Sequence, residues 1–461
     1  MNRGQESTDF GVRAIALLAR QRALETLWIE DQGVRLWSEL GGKIEEARQR
    51  CLEAGVLPGE VVVTPGVASL DSLAWLFGAA AVSAVVAPLR PERIGEIENW
   101  KQWFRIDWQV KDGGIERAGG GIVLPEAMRL FEELRARNHP GLILATGGTT
   151  GVPKLVLHDL AVLLAAIPVR AGQRRKTLPL MHFDHIGGLD MVWRAMASGQ
   201  LLVAPPLSFT VEEVAAVIER HHVEVLPATP SFLNLLLLSN ARQQSNLSSL
   251  RLVPYGAEAM PAGLLARLQA ALPGVEFVQR FGTSETGALP VRSAGDGLAL
   301  RENQPGYEWK IVDRELWVKS PTRALGYLTG NEGGFVESGW FRTGDLAEER
   351  LDGGVVVLGR REDLINVGGE KVLPAEVEGV LLTHPHVLDC RVCPAPNSVL
   401  GQVVAAEIVW RGPERDVMRV KRELHEFAGS LIARHKLPVV VRLVEAIAST
   451  RNLKRARGSN S

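Results

Sequence analysis

Short apolar segments alternate with helix-period segments over most of this chain, and this alternation limits the folds that it can adopt. Stretches such as 211–221 and 261–272 place apolar residues at helical spacing. Strands that alternate with helices in this way pair largely in parallel and lie buried under them, so the pattern predicts an α/β fold. The predicted strands are rich in Val, Ile and Leu and are followed by turn residues, at 61–63, 84–88, 142–146, 201–204, 224–227, 252–255 and 276–280.

The pattern changes after about residue 314, which indicates more than one domain. With 461 residues the chain is too long for one compact core. Segments 315–319 and 354–359 surround glycine-rich turns and predict a small antiparallel β subdomain. We expect a large N-terminal domain of layered α/β subdomains at 1–361, including this β subdomain. A smaller α+β domain should follow at 362–461, with the boundary between Arg361 and Glu362.

Composition and charge argue against several classes of function. The formal net charge is −1, so no overall basic field favours nucleic acid or an anionic membrane. The longest apolar stretch, 69–88, is interrupted by Asp71, Gly78 and Ser83, which favours a buried helix and strand over a membrane span. The polar first residues and the three cysteines predict a cytoplasmic protein without a disulfide framework.

A predicted strand runs directly into a loop of glycines and threonines at residues 144–154, Leu-Ala-Thr-Gly-Gly-Thr-Thr-Gly-Val-Pro-Lys. Glycines let backbone N–H groups surround an anion, hydroxyls add neutral donors, and the lysine adds a mobile positive charge. The loop suits the β and γ phosphates of ATP, although Pro153 distinguishes it from a Walker loop. A surface turn is the alternative for this stretch alone. The predicted phosphate-binding residues are Thr146, Gly147, Gly148, Thr149, Thr150, Gly151 and Lys154.

This loop resembles that of the adenylate-forming superfamily, which comprises acyl-CoA synthetases, adenylation domains and firefly-type luciferases. Gly147 stands where those enzymes more often have serine. The family's other motifs follow in the same order along nearly the whole chain. The resemblance implies a ligase that uses ATP, Mg²⁺ and coenzyme A, with a C-terminal domain that moves as a lid.

Three later segments are similar to the family's nucleotide-binding motifs. Segment 280–286, Arg-Phe-Gly-Thr-Ser-Glu-Thr, implies that Phe281 stacks on adenine, Ser284 meets the α-phosphate and Glu285 holds Mg²⁺. Segment 339–345 implies that Asp345 accepts hydrogen bonds from the ribose, with Arg360 reaching the ribose or the phosphates. Without the resemblance, a helix-starting glutamate and a turn aspartate are the alternatives. Segment 255–261 completes the predicted nucleotide site, which is Gly256, Ala257, Glu258, Phe281, Gly282, Thr283, Ser284, Asp345 and Arg360.

Residues 179–189 are similar to the family segment beside the acid. His182 and His185 also fit part of a zinc pattern, but Leu180 occupies its first histidine position, which argues against zinc. The segment fits the family in two registers, and the glycines that follow favour His185 at the mouth of the acyl pocket. Asp184 leaves an amino-acid substrate open. The resemblance gives an uncharged or weakly basic pocket, and hence an apolar or aromatic monocarboxylic acid, from His185, Gly188, Asn234, Gly256 and Ala288.

The C-terminal region resembles the family's lid. Glu362 would be the hinge residue, and Gly368 with Gly369 would line the thiol channel. Segment 447–454 resembles the one that carries the catalytic lysine and retains its spacing, which assigns that role to Lys454, although Leu453 replaces the usual glycine. A solvated basic tail is the alternative.

Together these resemblances imply an enzyme that makes an acyl-adenylate, releases pyrophosphate and transfers the acyl group to coenzyme A. The predicted catalytic residues are Lys454, Lys154, His185 and Glu285. A freestanding ligase that loads the phosphopantetheine of a separate carrier protein, and an inactive nucleotide-sensing member, are the alternatives. A homodimer is left open.

Outside these motifs, Trp100, Phe104 and Trp108 recur at four-residue spacing and predict one buried helix face.

Overall fold

The structure is a computed structural model that describes residues 21–30, 33–146, 154–169, 172–206, 210–293, 298–302, 304–330 and 333–447. The predicted phosphate-binding residues at 147–151 and the predicted catalytic Lys454 lie outside the described residues.

The first part of the described chain, joined by the later strand β19 (Gly326–Tyr327), forms a sheet with the strand order β19-β8-β7-β4-β3-β5-β6. Its centre, β7-β4-β3-β5, is parallel, as the runs of β-branched residues predict. The helices here are α1 (Trp37–Ala54), α2 (Leu70–Ala80), α3 (Glu96–Trp100) and α4 (Pro125–Arg137). The strands are β1 (Thr26–Glu30), β2 (Gly33–Leu36), β3 (Val61–Pro65), β4 (Val85–Leu89), β5 (Ile106–Lys111), β6 (Gly114–Gly120), β7 (Gly141–Thr146) and β8 (Lys154–Asp159).

A second layer follows, in which β2-β1-β10-β9 form a sheet and β11 pairs in parallel with β12. The predicted strand at 224–227 is wrong, because only isolated bridges at Val225 join β9 to β11. The strands are β9 (Lys176–Thr177), β10 (Leu201–Val203), β11 (Leu252–Tyr255), β12 (Glu276–Gln279), β13 (Gly282–Thr283) and β14 (Gly287–Ala288). The helices are α5 (Leu160–Ala165), α6 (Ile186–Ala197), α7 (Val211–His221), α8 (Pro230–Leu238), α9 (Ala241–Gln244) and α10 (Ala262–Ala271).

Helices α1, α2 and α6 share one hydrophobic core with strands of both layers. Helix α2 is buried almost along its whole length, since its residues are nearly all apolar or small. Because protein surrounds α2 on every side, almost all of its residues can be apolar. None of the helices in the described ranges is long and apolar enough to cross a membrane.

The next part of the chain forms an antiparallel sheet in the order β15-β16-β21-β20-β18-β17, which matches the predicted β subdomain. Its strands are β15 (Val291–Ser293), β16 (Leu300–Glu302), β17 (Glu308–Val312), β18 (Glu315–Lys319), β20 (Trp340–Glu349) and β21 (Val355–Arg360). Strand β19 (Gly326–Tyr327) leaves this sheet and pairs with β8 of the first one. The two sheets are therefore joined through β19.

The last part of the described chain forms a smaller α+β unit in which β23-β22-β25-β24 pair in that order and β26 lies beside β25. The short 3-10 helix Arg361–Asp363, where the sequence places the domain boundary, leads into it. The boundary and the movement of this unit stay predictions. Its elements are β22 (Ile365–Val367), β23 (Glu370–Val372), α11 (Pro374–Leu381), β24 (Val387–Asn397), β25 (Gly401–Trp410), α12 (Val417–Ala428) and β26 (Val440–Leu443).

Trp100, Phe104 and Trp108 are buried, as predicted, but they do not share a helix. Helix α3 ends at Trp100, Phe104 lies in the following turn and Trp108 belongs to β5. Residues 106–110 alternate between apolar and polar, and this period of two determines the structure there.

Candidate functional site

Lys154 stands where the predicted phosphate loop returns to the sheet. It is the first residue of β8 and pairs across the hairpin with Thr146, the last residue of β7. Tyr327 on β19 lies beside β8, opposite Val156. The Nζ atom of Lys154 lies 5.8 Å from the centroid of the Tyr327 ring, within the range of a cation–π contact. The sheet thus fixes a lysine and a tyrosine at one end of the loop.

Glu285 lies in the tight turn between β13 and β14, and its carboxylate faces Tyr327. The Tyr327 hydroxyl donates a hydrogen bond to Glu285 Oε1 over 2.7 Å. Burial, together with the Glu285 charge, raises the pKa of Tyr327 far above its usual value, so the phenol remains a donor. Glu285 forms no ion pair with any residue that the structure describes. One of its oxygens is held by Tyr327 and the other is available to a cation.

The turn around Glu285 is held by its own threonines and by a buried histidine. The backbone N–H groups of Thr283 and Thr286 each donate to the other's hydroxyl, over 3.1 and 3.2 Å. His158, on β8, donates through Nε2 to the carbonyl of Ser284. Burial lowers the pKa of His158, so the ring is neutral and its proton lies on the nitrogen that faces this carbonyl. The strand that begins at Lys154 therefore also positions the Glu285 turn.

Asp345 and Arg360 face each other on the neighbouring strands β20 and β21. Arg360 Nε lies 3.0 Å from Asp345 Oδ1, and Arg360 Nη1 donates to the Thr343 carbonyl over 2.8 Å. Asp345 is only 6% exposed. Burial raises its pKa to about 6, although Arg360 acts in the opposite direction. Ionised above that pH, Asp345 presents carboxylate oxygens suited to accept hydrogen bonds from hydroxyl groups.

The Glu285–Tyr327 and Asp345–Arg360 pairs lie within electrostatic reach of each other. Glu285 is one of the groups that raise the pKa of Asp345, and Arg360 acts to lower that of Tyr327. The structure therefore brings together Lys154, Glu285, Asp345 and Arg360, which stand far apart in sequence. This arrangement places two carboxylates and two cations on one surface, a charge pattern suited to a metal ion, hydroxyl groups and phosphates.

The predicted adenine side lies at the ends of β11 and β12. A Cβ atom on Gly256 would lie 2.6 Å from the carbonyl oxygen of Arg280, so only glycine allows the two strand ends to approach this closely. Phe281 is half-buried against the core of the antiparallel sheet. Glu258 accepts a hydrogen bond from the backbone N–H of Ser231, which places its charge at the start of α8. One Glu258 oxygen is thus bound to a helix, and its contact with a nucleotide stays a prediction.

His185 is the N-cap residue of α6, and Asp184 precedes it in the core. Asp184 is 1% exposed and accepts from Arg90 Nε over 2.9 Å and from Arg93 Nη1 over 3.0 Å. Burial opposes its ionisation, but His185 and the two guanidinium groups together lower the pKa of Asp184. Its charge is neutralised by arginines, so the reason for an amino-acid substrate does not hold.

The other predicted pocket residues differ in their surroundings. A Cβ atom on Gly188 would lie 2.1 Å from the His182 carbonyl oxygen, so this glycine is required for packing of α6 against the preceding turn. Asn234 is buried on α8, and its amide nitrogen and oxygen have no hydrogen-bond partner among the described residues. Ala288 borders a narrow cleft next to α5 and α6.

The predicted hinge and thiol-channel residues follow β21 in the chain, and the hinge residue Glu362 is one of the charges that raise the pKa of Asp345. Glu362 is exposed in the 3-10 helix at the boundary. Gly368 and Gly369 form the exposed turn between β22 and β23, where both have positive φ angles. Sequence reasoning missed Tyr327, His158, Arg90 and Arg93. The only local signal for Tyr327 is that it is one of three tyrosines in the chain.

A second cluster in the described part of the chain consists of residue types that commonly bind metals, but the proton of one of its histidines occupies the nitrogen that a metal would need. His384, His386 and Glu423 offer atoms within 4.8 Å of one another. However, His384 Nδ1 accepts the backbone N–H of His386 over 3.2 Å, so the proton lies on Nε2, 3.5 Å from Glu423. A metal would require that nitrogen's lone pair, and the cluster is instead joined by hydrogen bonds.

The chain is similar in sequence and in structure to known proteins. The family model for AMP-binding enzyme matches residues 96–328, and that for AMP-binding enzyme C-terminal domain matches 376–454. The 2-succinylbenzoate–CoA ligase of Bacillus pumilus is 29% identical over 350 residues, 70% of each chain. Pyochelin synthase PchD of Pseudomonas aeruginosa is 30% identical over 66% of this chain and 60% of its own. The structure of the anthranilate CoA ligase AuaEII with anthranoyl-AMP superposes with a TM-score of 0.78 at 19% identity, covering 96% of this chain and 95% of that one.

Proposed function

This chain belongs to the adenylate-forming AMP-binding enzymes, and we propose that it carries out their chemistry at the surface formed by Lys154, Glu285, Tyr327, Asp345 and Arg360. As an AMP-forming acid:thiol ligase, it joins a carboxylic acid to ATP with release of pyrophosphate and then transfers the acyl group to coenzyme A. The observation that supports this site best is the proximity of the Glu285–Tyr327 and Asp345–Arg360 pairs.

The charges at this site match a nucleotide triphosphate with Mg²⁺. Asp345 would accept hydrogen bonds from the ribose hydroxyls, and Lys154 and Arg360 would contact phosphate oxygens. Glu285 would hold Mg²⁺ through the oxygen that Tyr327 leaves available, and oxygen ligands are those that this ion prefers. The ion, when bound, would neutralise phosphate charge. Tyr327 orients the carboxylate, because its hydroxyl can only donate while it is protonated.

In the first half-reaction, an oxygen of the acid forms a bond to the α-phosphorus of ATP, and the bond to the β-phosphate oxygen breaks. The chain contributes mainly position and charge. Lys154 would hold the leaving pyrophosphate, His185 would border the reacting carboxylate, and Lys454 would contact the transition state. A site that excludes water would protect the mixed anhydride from hydrolysis.

In the second half-reaction, a thiol that has lost its proton attacks the acyl carbon, and AMP leaves with the electron pair of the acyl–oxygen bond. We assign the exchange between the two states to rotation of residues 362–461 about Glu362. The exposed glycine turn at Gly368 and Gly369 would then line the thiol channel. Helix α10 touches the C-terminal unit at several points, among them a hydrogen bond from Arg267 to the Leu388 carbonyl, and such a rotation would break these contacts.

Pyrophosphate release from ATP, measured across a panel of carboxylic acids, tests this function. We expect AMP and pyrophosphate as products, followed by acyl-CoA when coenzyme A is added. ADP and phosphate as products, or no ATP turnover with any acid class, would contradict the proposal. Adenylation without thioester formation from coenzyme A, together with transfer to a phosphopantetheinylated carrier protein, would identify the carrier-loading alternative.

A further inference from the structure

Helix α10 and the C-terminal unit meet at a pair of glycines. Gly263 is the second residue of α10, and it faces Gly379 of α11 and Thr383, which lies just after that helix. A Cβ atom on Gly263 would lie 2.9 Å from Thr383 Cγ2 and 3.2 Å from the Gly379 carbonyl oxygen. Glycine favours a helix less than alanine does, so glycine on both sides indicates that close approach determines these two positions. A bulky side chain at 263 would therefore force the two helices apart.

One turn further along α10, Arg267 binds the next part of the C-terminal unit. Its Nη1 atom donates a hydrogen bond to the Leu388 carbonyl over 3.2 Å. Leu388 lies in β24 and is followed by Asp389, which is 5% exposed. Burial lowers the pKa of Arg267, while the Asp389 charge opposes this shift. Arg267 is thus a charged donor that joins α10 to the backbone of β24.

The orientation of the C-terminal unit in this structure differs from the one that thiol transfer requires. The turn at Gly368 and Gly369, which would line the thiol channel, is exposed to solvent. Segment 362–461 also contains Lys454, which is expected to act in adenylation alone. The orientation that α10 contacts is therefore best matched to the first half-reaction.

We propose that Gly263 and Arg267, through their contact with Gly379, Thr383 and Leu388 (the α10 contact), hold the C-terminal unit in the orientation for adenylation, and that this contact opens before thiol transfer. This inference rests on the proposed function. Arg267 would touch neither substrate and would act as a positioning residue through the orientation of a whole domain. An exchange between two orientations needs a contact that is specific but weak. One charged hydrogen bond beside a small glycine contact has that character.

The single hydrogen bond sets the size of the expected effect. A hydrogen bond with one charged partner changes an equilibrium by roughly tenfold to a hundredfold. Each half-reaction would proceed only in its own orientation, so the ratio of the two half-reaction rates reports the equilibrium between the orientations. A general loss of stability would slow both half-reactions and leave this ratio unchanged.

Arg267→Gln tests the hydrogen bond. In the full-length enzyme, adenylation would be measured as single-turnover pyrophosphate release with the fastest acid of the panel. Thiol transfer would be measured as thioester formation from coenzyme A and the synthetic adenylate of the same acid. We expect slower adenylation and equal or faster thiol transfer, so the ratio of thiol transfer to adenylation should rise by roughly tenfold. Arg242→Gln is the matched control and should leave the ratio unchanged, because Arg242 donates to the Ala271 carbonyl at the other end of α10, within the N-terminal domain.

Gly263→Leu tests the same contact without a change of charge. Leucine favours a helix more than glycine does, so α10 itself should not be destabilised, while the added side chain would separate the two helices. The ratio of thiol transfer to adenylation should rise as it does for Arg267→Gln. Gly42→Leu in α1 is the matched control, because a Cβ atom there meets nothing within 4 Å, and it should leave the ratio unchanged.

A disulfide tests which half-reaction the contact serves. The Cβ atom of Thr383 is bonded to the Cγ2 atom that approaches Gly263, so cysteines at the two positions would have Cβ atoms about 4 Å apart, as natural disulfides do. Mass spectrometry of the oxidised Gly263→Cys/Thr383→Cys variant would detect the cross-link. The cross-linked enzyme should retain adenylation and lose thiol transfer, and dithiothreitol should restore thiol transfer. Thr383→Cys alone, treated in the same way, should retain both half-reactions.

An oxidised double variant that forms no cross-link would show that the two helices do not meet in solution, and would refute the α10 contact. Loss of adenylation in the cross-linked enzyme, or thiol transfer that survives the cross-link, would refute it too. A ratio that neither Arg267→Gln nor Gly263→Leu changes has the same meaning. All of these results leave the proposed function intact, because the wild type would still release pyrophosphate. A wild type that turns over ATP with no acid would instead contradict the proposed function itself.

Discussion

Replacement of Asp345 by asparagine should strengthen the fold while it weakens nucleotide binding. The pKa of Asp345 rises from its ordinary 3.8 to about 6, because the carboxylate is buried beneath Arg360. A shift of about two units corresponds to about 3 kcal/mol of preference for the protonated form. Between these two pKa values the folded protein binds more protons than the unfolded chain. The free energy of unfolding therefore falls as the pH rises from 3.8 to about 6, and remains lower above.

Asparagine is uncharged, so Asp345→Asn removes the free-energy cost of burying a charge at neutral pH. It also removes the attraction of Arg360, but that side chain is 46% exposed and water can solvate it. Since the pKa of Asp345 already includes the effect of Arg360, we expect Asp345→Asn to gain about 1–3 kcal/mol of stability near pH 8 and almost nothing near pH 4. Ribose hydroxyls lose a charged acceptor, which should raise the KM for ATP by roughly tenfold to a hundredfold.

Urea unfolding of the wild type and the variant at these two pH values measures the stability effect, and pyrophosphate release measures the KM for ATP. Asp352→Asn is the control, because Asp352 lies on the exposed turn between β20 and β21. Hydrogen bonds from Gly354 and Arg301 lower the pKa of Asp352, so its neutralisation should not stabilise the protein. A gain from Asp345→Asn that is equal at both pH values, or a loss near pH 8, would refute the reasoning.

Three further substitutions test the other parts of the proposed site. Glu285→Ala should abolish pyrophosphate release in a variant that still folds, and near-normal release by this folded variant would show that the motif assignment is wrong. Tyr327→Phe should raise the Mg²⁺ concentration for half-maximal rate by roughly tenfold and weaken Mn²⁺ binding measured by electron paramagnetic resonance, whereas unchanged values would exclude an orienting role. Lys454→Ala should slow adenylation by about two to three orders of magnitude and spare thioester formation from pre-made acyl-adenylate. Equal losses in both assays would contradict an alternating lid.

The strands of the first sheet could be predicted from the sequence because their evidence is local. The runs at Val61–Pro65 and Val85–Leu89 consist almost entirely of apolar residues, as strands buried on both faces do. The stretch from Trp100 to Trp108 was predicted wrongly, since a four-residue spacing of aromatics competed there with a two-residue alternation. One segment cannot follow both the helical spacing and the strand alternation. The pairing of β5 with β3 favours the strand.

The contacts of the candidate site could not be predicted, because they join distant parts of the chain. The Tyr327 hydroxyl reaches Glu285 only since β19 leaves the antiparallel sheet to pair with β8. Asp184 illustrates the same limit. The motif around Asp184 left open that this carboxylate binds the ammonium group of an amino-acid substrate. In the structure, Arg90 and Arg93, which follow β4, already neutralise the Asp184 charge. A motif identifies a side chain, but the charges that surround it depend on the tertiary structure.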